Sequence, residues 1–573
     1  MPQKFNDYVV TLPKKRLHSL LAEAADEISY DEVWQDARWQ KAMEAEMDAN
    51  NQNQTWTLVP PSNYARPISA RWVLRTKEDV ETNSVKYKAR LVARGFEQRE
   101  GVDYHETFAP VVKWSTIRMI VAIAAALGWD ISHMDVIIAF LNGKLEETIH
   151  MVQPPGFVVT GKEDWVCLLN RSIYGLKQSP RTWYHEIDSH LRATGWIRSQ
   201  YDHNLYILRE GTNIIFILLF VDNLMITSNS PVRISSVKQE LRTKYEMKDL
   251  GRIQKYLGVQ FKFFEEGILL HQEDYCNKLL QEHGMTDCKP SFTPLPEGTA
   301  LLNETGTPDE DPVEYGHLVG ELIFLTQTRP DITHAVGVVS RFMSKPQQSH
   351  LQAAKHILRY CKSTPDFGIA FYRNQATDGA TALTGFTSSW KMHGYTDSDW
   401  AADKQTRRST GGQILTFAGG PISWASKRQP AVSLSSTEAE YKSLSDGARE
   451  AVHLSRLLQE LNIVPTKQTP VRSADNKLIQ QLANSHIPGP DDMVLHCDNS
   501  GAIKLSRNPV FHARSKHIEL YHHFICERVL EGEIKVKYLP TENQPADLLM
   551  KALGRIKFEK HRNSTGMRPA NSV

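Results

Sequence analysis

The stretch Ile214-Ile215-Phe216-Ile217-Leu218-Leu219-Phe220-Val221-Asp222-Asn223 decides the reading of this chain. An unbroken apolar run of this length, rich in β-branched and aromatic side chains, predicts a buried strand rather than a helix. The run ends in an acid, Asp222, followed by an amide, Asn223. A second strand-like run lies upstream, Ile131-Ser132-His133-Met134-Asp135-Val136-Ile137-Ile138, with one acid among apolar neighbours. A buried carboxylate is costly unless it is paired or bound to a cation. Two acids on adjacent strand ends would form an oxygen-ligand site of the kind magnesium prefers. Taken singly, each acid is equally well explained as a turn cap or a strand end.

The rest of the composition narrows the class. A chain of 573 residues should hold more than one hydrophobic core. Its 41% hydrophobic and 23% charged content is that of a globular protein. The net charge of +1 neither favours nor excludes a polyanion partner, so any nucleic-acid footprint must be local. Lys86, Lys88, Arg90, Arg94 and Arg99 cluster in one stretch, and Lys504, Arg507, Arg514 and Lys516 in another. Each cluster alone reads as a solvated face. The scattered cysteines contain no Cys-x-x-Cys pair, which argues against zinc fingers and fits a reducing compartment. The apolar runs are far too short for a membrane span, and the N-terminus lacks a signal peptide's apolar core. The expectation is a soluble intracellular protein with no membrane partner.

Periodicity predicts a helix over residues 31–50, strands between 68 and 96, a helix at 115–127 with an apolar stripe, and a helix near 180–193. Residues 285–315 read as an extended connection, 315–364 return to helical periodicity, and 374–390 read as loop. A new mixed α/β segment runs from His393 to about Leu553, and the tail beyond it reads as disordered.

Context gives the two acid-bearing strands a meaning. Lys86-Tyr87-Lys88-Ala89-Arg90-Leu91-Val92-Ala93-Arg94-Gly95-Phe96 precedes Asp103-Tyr104-His105-Glu106-Thr107-Phe108-Ala109-Pro110. Then follow Met134-Asp135-Val136 with Ala139-Phe140-Leu141-Asn142-Gly143, Gln153-Pro154-Pro155-Gly156-Phe157, Tyr174-Gly175-Leu176-Lys177-Gln178-Ser179-Pro180-Arg181 and Phe220-Val221-Asp222-Asn223. This order resembles the reverse transcriptase of copia-like LTR retrotransposons from Trp39 to about Lys362. The resemblance implies that Asp135 and Asp222 are the metal-binding, catalytic aspartates of a polymerase palm. It implies that Phe140 crowds a ribose 2′-hydroxyl, that Gly175, Lys177 and Ser179 shape the nucleotide pocket, and that Lys88 and Arg90 grip a triphosphate. Tyr256-Leu257-Gly258-Val259 resembles the stretch near the primer grip. The chain departs from the family at Asn223, where a second aspartate is usual, and at Ile137 and Ile138, where polar residues are common.

A second set of acids lies downstream. Tyr395-Thr396-Asp397-Ser398-Asp399 and Leu495-His496-Cys497-Asp498-Asn499 look like strand ends, and Gln544-Pro545-Ala546-Asp547 opens a late helix. Ser435-Ser436-Thr437-Glu438-Ala439-Glu440-Tyr441 opens another helix, in which Thr437 and Glu440 have capping-box spacing and leave Glu438 to face a neighbouring strand. Four converging acids could hold two magnesium ions for phosphodiester hydrolysis. With Arg407-Arg408-Ser409-Thr410-Gly411-Gly412 and Ile422-Ser423-Trp424, segment 393–555 resembles the copia-type ribonuclease H, which implies Asp397, Glu438, Asp498 and Asp547 as its catalytic acids. Asp399 is the less favoured alternative to Asp397. An insertion near 466–492 precedes the Asp498 strand.

The sequence therefore predicts a multidomain α/β and α+β chain. It comprises an N-terminal tail (1–30), fingers and ferredoxin-like palm of a right-hand polymerase (31–284), thumb or connection helices (285–374), a ribonuclease H-like α/β domain (393–555) and a disordered tail (556–573). The implied cofactor is Mg2+, two ions per active site. The implied partners are an RNA template, a DNA primer, dNTPs, an RNA–DNA hybrid and other parts of the retrotransposon polyprotein, in a cytoplasmic particle or the nucleus. Asn223 predicts an impaired polymerase. The alternative is a non-catalytic, nucleic-acid-binding relic.

Overall fold

A computed structural model describes residues 30–61, 66–79, 84–303, 309–373, 392–461, 493–507 and 519–573. The 466–492 insertion, the 374–390 loop, the basic residues Arg514 and Lys516 and nearly all of the 1–30 tail lie outside them. Two compact units result, and they interleave along the chain. One takes the residues up to Val111 together with Val136–Trp196 and Leu241–Lys248; the other takes Val112–Asp135, Ile197–Glu240 and Asp249–Val573.

In the first unit, the antiparallel hairpin Ala70–Asp79 and Ser84–Ala93 packs on the helix Ala37–Gln52. Strand alternation sends Ala89 and Leu91 inward to Trp39, Met43 and Trp72, and leaves Lys88 and Arg90 on the other face. A three-stranded sheet, ordered Trp56–Val59, Val166–Leu169, His150–Val152, completes this core. The helix Ser179–Ala193 follows the Tyr174-Gly175-Leu176-Lys177 turn.

The second unit is built on helix α1 (Trp114–Leu127), whose residues Thr116–Ala126 are all buried. Its apolar stripe predicted one buried face; the helix instead lies against strands of two different sheets, so nearly every side is covered. Beside it runs a sheet containing β1 (Ile131–Val136), β2 (Leu205–Glu210), β3 (Asn213–Phe220) and β4 (Asn223–Ser228), ordered β1-β4-β3-β2 and antiparallel throughout. Arg118 is the one cation buried in α1. It donates to the carbonyls of Gln327 and Ile422 and lies 3.8 Å over the ring of Trp424, and desolvation pulls its pKa down to about 9.

Further along, β5 (His393–Ser398), β6 (Thr410–Phe417) and β7 (Gly420–Arg428) form an antiparallel meander. β8 (Val494–Cys497) and β9 (Lys535–Tyr538) extend it in parallel, giving the order β7-β6-β5-β8-β9. Helix α2 (Ser436–Leu461) crosses this sheet. Its Gly447 allows the approach, because a Cβ there would sit 2.4 Å from Thr396 Cγ2.

The C-terminal segment differs from expectation. Residues 556–573 are not a loose tail: Arg555–Ser564 is helical, and Met567–Pro569 pairs antiparallel with Phe367–Tyr372 at a sheet edge. Met567 is fully buried and Ala570 N donates to Asp366 O. A three-residue strand with one large apolar side chain leaves no periodic signal in a sequence, which is why the segment reads as polar coil. Met567→Ala should therefore cost about 2–4 kcal/mol, read as a lower midpoint in urea unfolding. A change below ~0.5 kcal/mol would mean that the strand does not form in solution.

Candidate functional site

The antiparallel register of β1, β3 and β4 brings the first set of acids together. Asn223 faces Phe220 across the β3–β4 turn and Asp135 across the neighbouring strand. Asp222 therefore sits in a two-residue turn beside Asp135. Its neighbour Val221 has φ +55°, which a β-branched side chain rarely adopts, so the turn is held in a strained form. Asp135 is half-buried rather than sealed in the core; Met134 and Val136 point the opposite way and are buried. Asn223 Nδ2 donates to Asp222 Oδ1 at 2.9 Å, and Asn223 Oδ1 lies 3.0 Å from His133 Nε2. The Tyr256 hydroxyl donates weakly to the Asn223 carbonyl at 3.4 Å. Burial, and then the charge of Asp222, raise the pKa of that phenol. Ile137, at a commonly polar position, is 40% exposed.

The remaining nucleotide-pocket candidates all lie in the other compact unit. Arg90 stacks over Tyr174 at 4.4 Å, and Phe140 meets the same ring edge-on at 4.8 Å. Lys88 stands directly opposite Arg75. Like charges so placed repel and favour an anion nearby, although Glu46 already answers part of the charge of Arg90 and Lys88. Gly175 has φ +94°, and a Cβ there would lie 2.0 Å from Ala93 O, so only glycine fits. Lys177 contacts the ring and hydroxyl of Tyr104, and Ser179 Oγ donates to Ile173 O. The buried Gln98 and Gln178 bond to each other and brace this turn; polar residues inside loops gave no signal of that role.

The second set converges at the tip of β5, with one exchange of residues. Asp397 is 1% exposed, and its pKa is raised first by burial and then by Asp498 and Asp547. Its close carboxyl neighbour is Glu440, not Glu438. Glu440 Oε1 accepts from Ser398 N, and burial followed by Asp397 and Asp498 raises the pKa of this carboxyl strongly. Ligand atoms of Glu440, Cys497 and Asp498 lie within 4.8 Å of one another. Asp397 Oδ2 and Glu440 Oε2 are buried without a hydrogen-bond donor, a pair of oxygens that a cation would suit. Asp498 accepts from Thr541 Oγ1 at 2.6 Å. Asp547 is fully buried in a short 3-10 turn and ion-paired to Lys551 and Lys557.

Glu438 has a different task, and helix capping explains the exchange. Ser435 caps α2 by accepting from Glu438 N. Glu438 then reaches back to Leu434 N at 2.8 Å and pairs with Lys442 at 2.7 Å. The capping pair is Ser435 and Glu438, two residues before the Thr437 and Glu440 pair that the spacing suggested. Asp399 accepts from Ala402 N and Thr410 N and so fixes a loop.

Residues 53–297 match the family model described as "Reverse transcriptase (RNA-dependent DNA polymerase)". A retrovirus-related Pol polyprotein from transposon RE1 of Arabidopsis thaliana is 37% identical over 97% of this chain and 35% of its own length. A putative transposon Ty5-1 protein of Saccharomyces cerevisiae is 35% identical over 55% of this chain and 100% of its own length. A compost-derived ribonuclease H1 structure matches 28% of this chain and 93% of its own, at 15% identity and a TM-score of 0.17, too slight a likeness to carry the assignment. The chain belongs to the copia-like retrotransposon Pol polyprotein family, in its reverse transcriptase region. It spans about a third of the length of the RE1 polyprotein. No helix among the described residues is long and apolar enough to cross a membrane.

The crowded carboxyls make a stability prediction. Asp397 and Glu440 have folded-state pKa values raised above their ordinary 3.8 and 4.5. The folded protein then holds protons that the unfolded chain releases, and stability is lost as pH rises from the ordinary values through the folded ones. In chelator, the melting temperature should fall as pH rises from about 5 through neutrality, and Glu440→Gln should flatten that slope. A parent profile that rises over this range would contradict the arrangement.

Proposed function

We propose that this chain is the RNA-directed DNA polymerase and ribonuclease H portion of a copia-like polyprotein, with the polymerase impaired and the hydrolase competent. The observation that carries the reading is that acids distant in sequence are brought to neighbouring strand ends twice: Asp135 on the strand that pairs with the residue after Asp222, and Asp397 beside Glu440 and Asp498. The β1–β4 sheet corresponds to a palm, the Ala70–Ala93 hairpin to fingers, the helices between 312 and 363 to a thumb or connection, and the β5–β9 sheet to the ribonuclease H domain.

Each site has the hard-oxygen donors that Mg2+ requires, and the bound ions would neutralise phosphate charge and orient the attacking oxygen. In the second unit Asp135 and Asp222 are the candidate ion ligands; in the first unit, taken by itself, Lys88, Arg90, Lys177 and the Gly175–Ser179 turn are candidates for binding a triphosphate and Phe140 for screening a sugar. At the second site, Asp397, Glu440, Asp498 and Asp547 are the acids, and Glu440 replaces Glu438 in the role. The substrates are an RNA template with a DNA primer and dNTPs, and an RNA–DNA hybrid recognised by its backbone and A-form shape. Other segments of the polyprotein are further partners, in an intracellular particle.

Asn223 offers a neutral amide where the ion calls for a charged oxygen. A loss of ~3–5 kcal/mol in transition-state stabilisation slows turnover roughly 10²–10⁴-fold. On an RNA template, Asn223→Asp should extend a primer faster by that factor; equal rates would end this account of the site. In Mg2+-dependent cleavage of the RNA strand of a hybrid, Glu440→Gln should lose at least ~10²-fold and Glu438→Gln only a few-fold. The second reading is a nucleic-acid-binding relic, favoured by the ion pairs that occupy Asp547. A well-folded parent without cleavage, matched by Glu440→Gln, would establish it.

A further inference from the structure

The orientation of the Asn223 amide is fixed by chemistry. An ionised carboxylate only accepts hydrogen bonds, so the group 2.9 Å from Asp222 Oδ1 must be the amide nitrogen of Asn223. The amide oxygen is thereby turned to His133 Nε2, 3.0 Å away, and that ring nitrogen must carry a hydrogen to bond an acceptor. His133 is itself held. It is 8% exposed, its ring meets Tyr256 edge-on at 5.4 Å, and Tyr256 is 1% exposed. Strand alternation sets His133 on the same face of β1 as Asp135.

We propose that His133 is a positioning residue that keeps the Asn223 amide oxygen out of the divalent-ion shell, so that the position presents an N–H to the Asp135–Asp222 site. Replacing a carboxylate by an amide removes a charge. The bond from His133 adds a second effect, because the one oxygen the amide has left is already engaged. Turning the amide over would break the His133 bond and set that oxygen against Asp222, with nothing between them unless a cation enters. The inference rests on the reading of Asp135 and Asp222 as ion ligands.

The test is a Mn2+ titration of the whole chain, with free Mn2+ read by electron paramagnetic resonance. It compares the parent, His133→Phe, His133→Gln, Asn223→Asp and His133→Phe/Asn223→Asp. Ions bound at the second site are common to all five and cancel. His133→Phe keeps an aromatic ring against Tyr256 but cannot donate, so the amide is freed and affinity should rise roughly 3- to 10-fold. His133→Gln keeps a donor and should stay near the parent. Asn223→Asp should bind a further ion, with little additional change from His133→Phe, because a carboxylate has an oxygen in either orientation. If Asn223→Asp binds a further ion but His133→Phe matches the parent, the positioning role is wrong. If Asn223→Asp binds nothing more, the reading of the acids as ion ligands fails instead. Near-ultraviolet circular dichroism reports whether each variant keeps its packing; if His133→Phe does not, a failure of His133→Gln to hold the parent's affinity overturns the proposal.

Discussion

Carboxylates gathered at the ends of neighbouring strands repel one another, and much of the surrounding structure exists to hold them there. Around Asp397 the holding is done by backbone and hydroxyl groups. Ser398 N binds Glu440, Ser443 Oγ ties α2 to the Asp397 carbonyl at 2.8 Å, and Thr541 restrains Asp498. The raised pKa values of Asp397 and Glu440 show that these restraints hold the carboxyls together without supplying an opposing charge, so that protons are retained where no cation is bound. Around Asp135 and Asp222 the holding is done by strand register and a strained turn, and one of the expected charges is absent.

Much of this was legible in the sequence because it follows from period and punctuation. An apolar run ending in an acid had to be a strand with a charged tip, and β3 and the Asp222 turn are that. Helix α1, the strands carrying Lys88 and Arg90, and the mixed α/β character of the segment after His393 were visible for the same reason. Glu440 stands beside Asp397 where Glu438 was expected because the helix is capped by Ser435 and not by Thr437. Ser435, Ser436 and Thr437 can each cap a helix, and moving the cap from Thr437 back to Ser435 changes which glutamate faces the sheet. Nor could the sequence say what the Asn223 amide touches. His133 lies 90 residues upstream, and only the β1–β4 register brings the two together.

The two clusters meet their charges in different ways. At the first, an amide stands at Asn223 and its neighbours have closed around it, since His133 and Asp222 between them satisfy both ends of that amide. At the second, Asp397, Glu440 and Asp498 crowd together, and it is Asp547 whose charge is answered locally by Lys551 and Lys557. A satisfied amide is a stable local arrangement, whereas unsatisfied carboxyl oxygens store a bias toward anything positively charged.

Arg118 has a consequence for folding rather than chemistry. Its guanidinium leaves α1 to bind the Gln327 carbonyl beyond one helix and the Ile422 carbonyl in β7, and it stacks on Trp424 of that same strand. If either neighbour came away, a buried cation would be stranded without partners, at a cost of several kcal/mol. Helix α1, the chain after the Pro312–Leu325 helix and β7 are thereby tied together, so that loosening one exposes the cost in the others. Damage that loosens β7 would therefore also destabilise α1 and the helices between them, all of which lie within one compact unit.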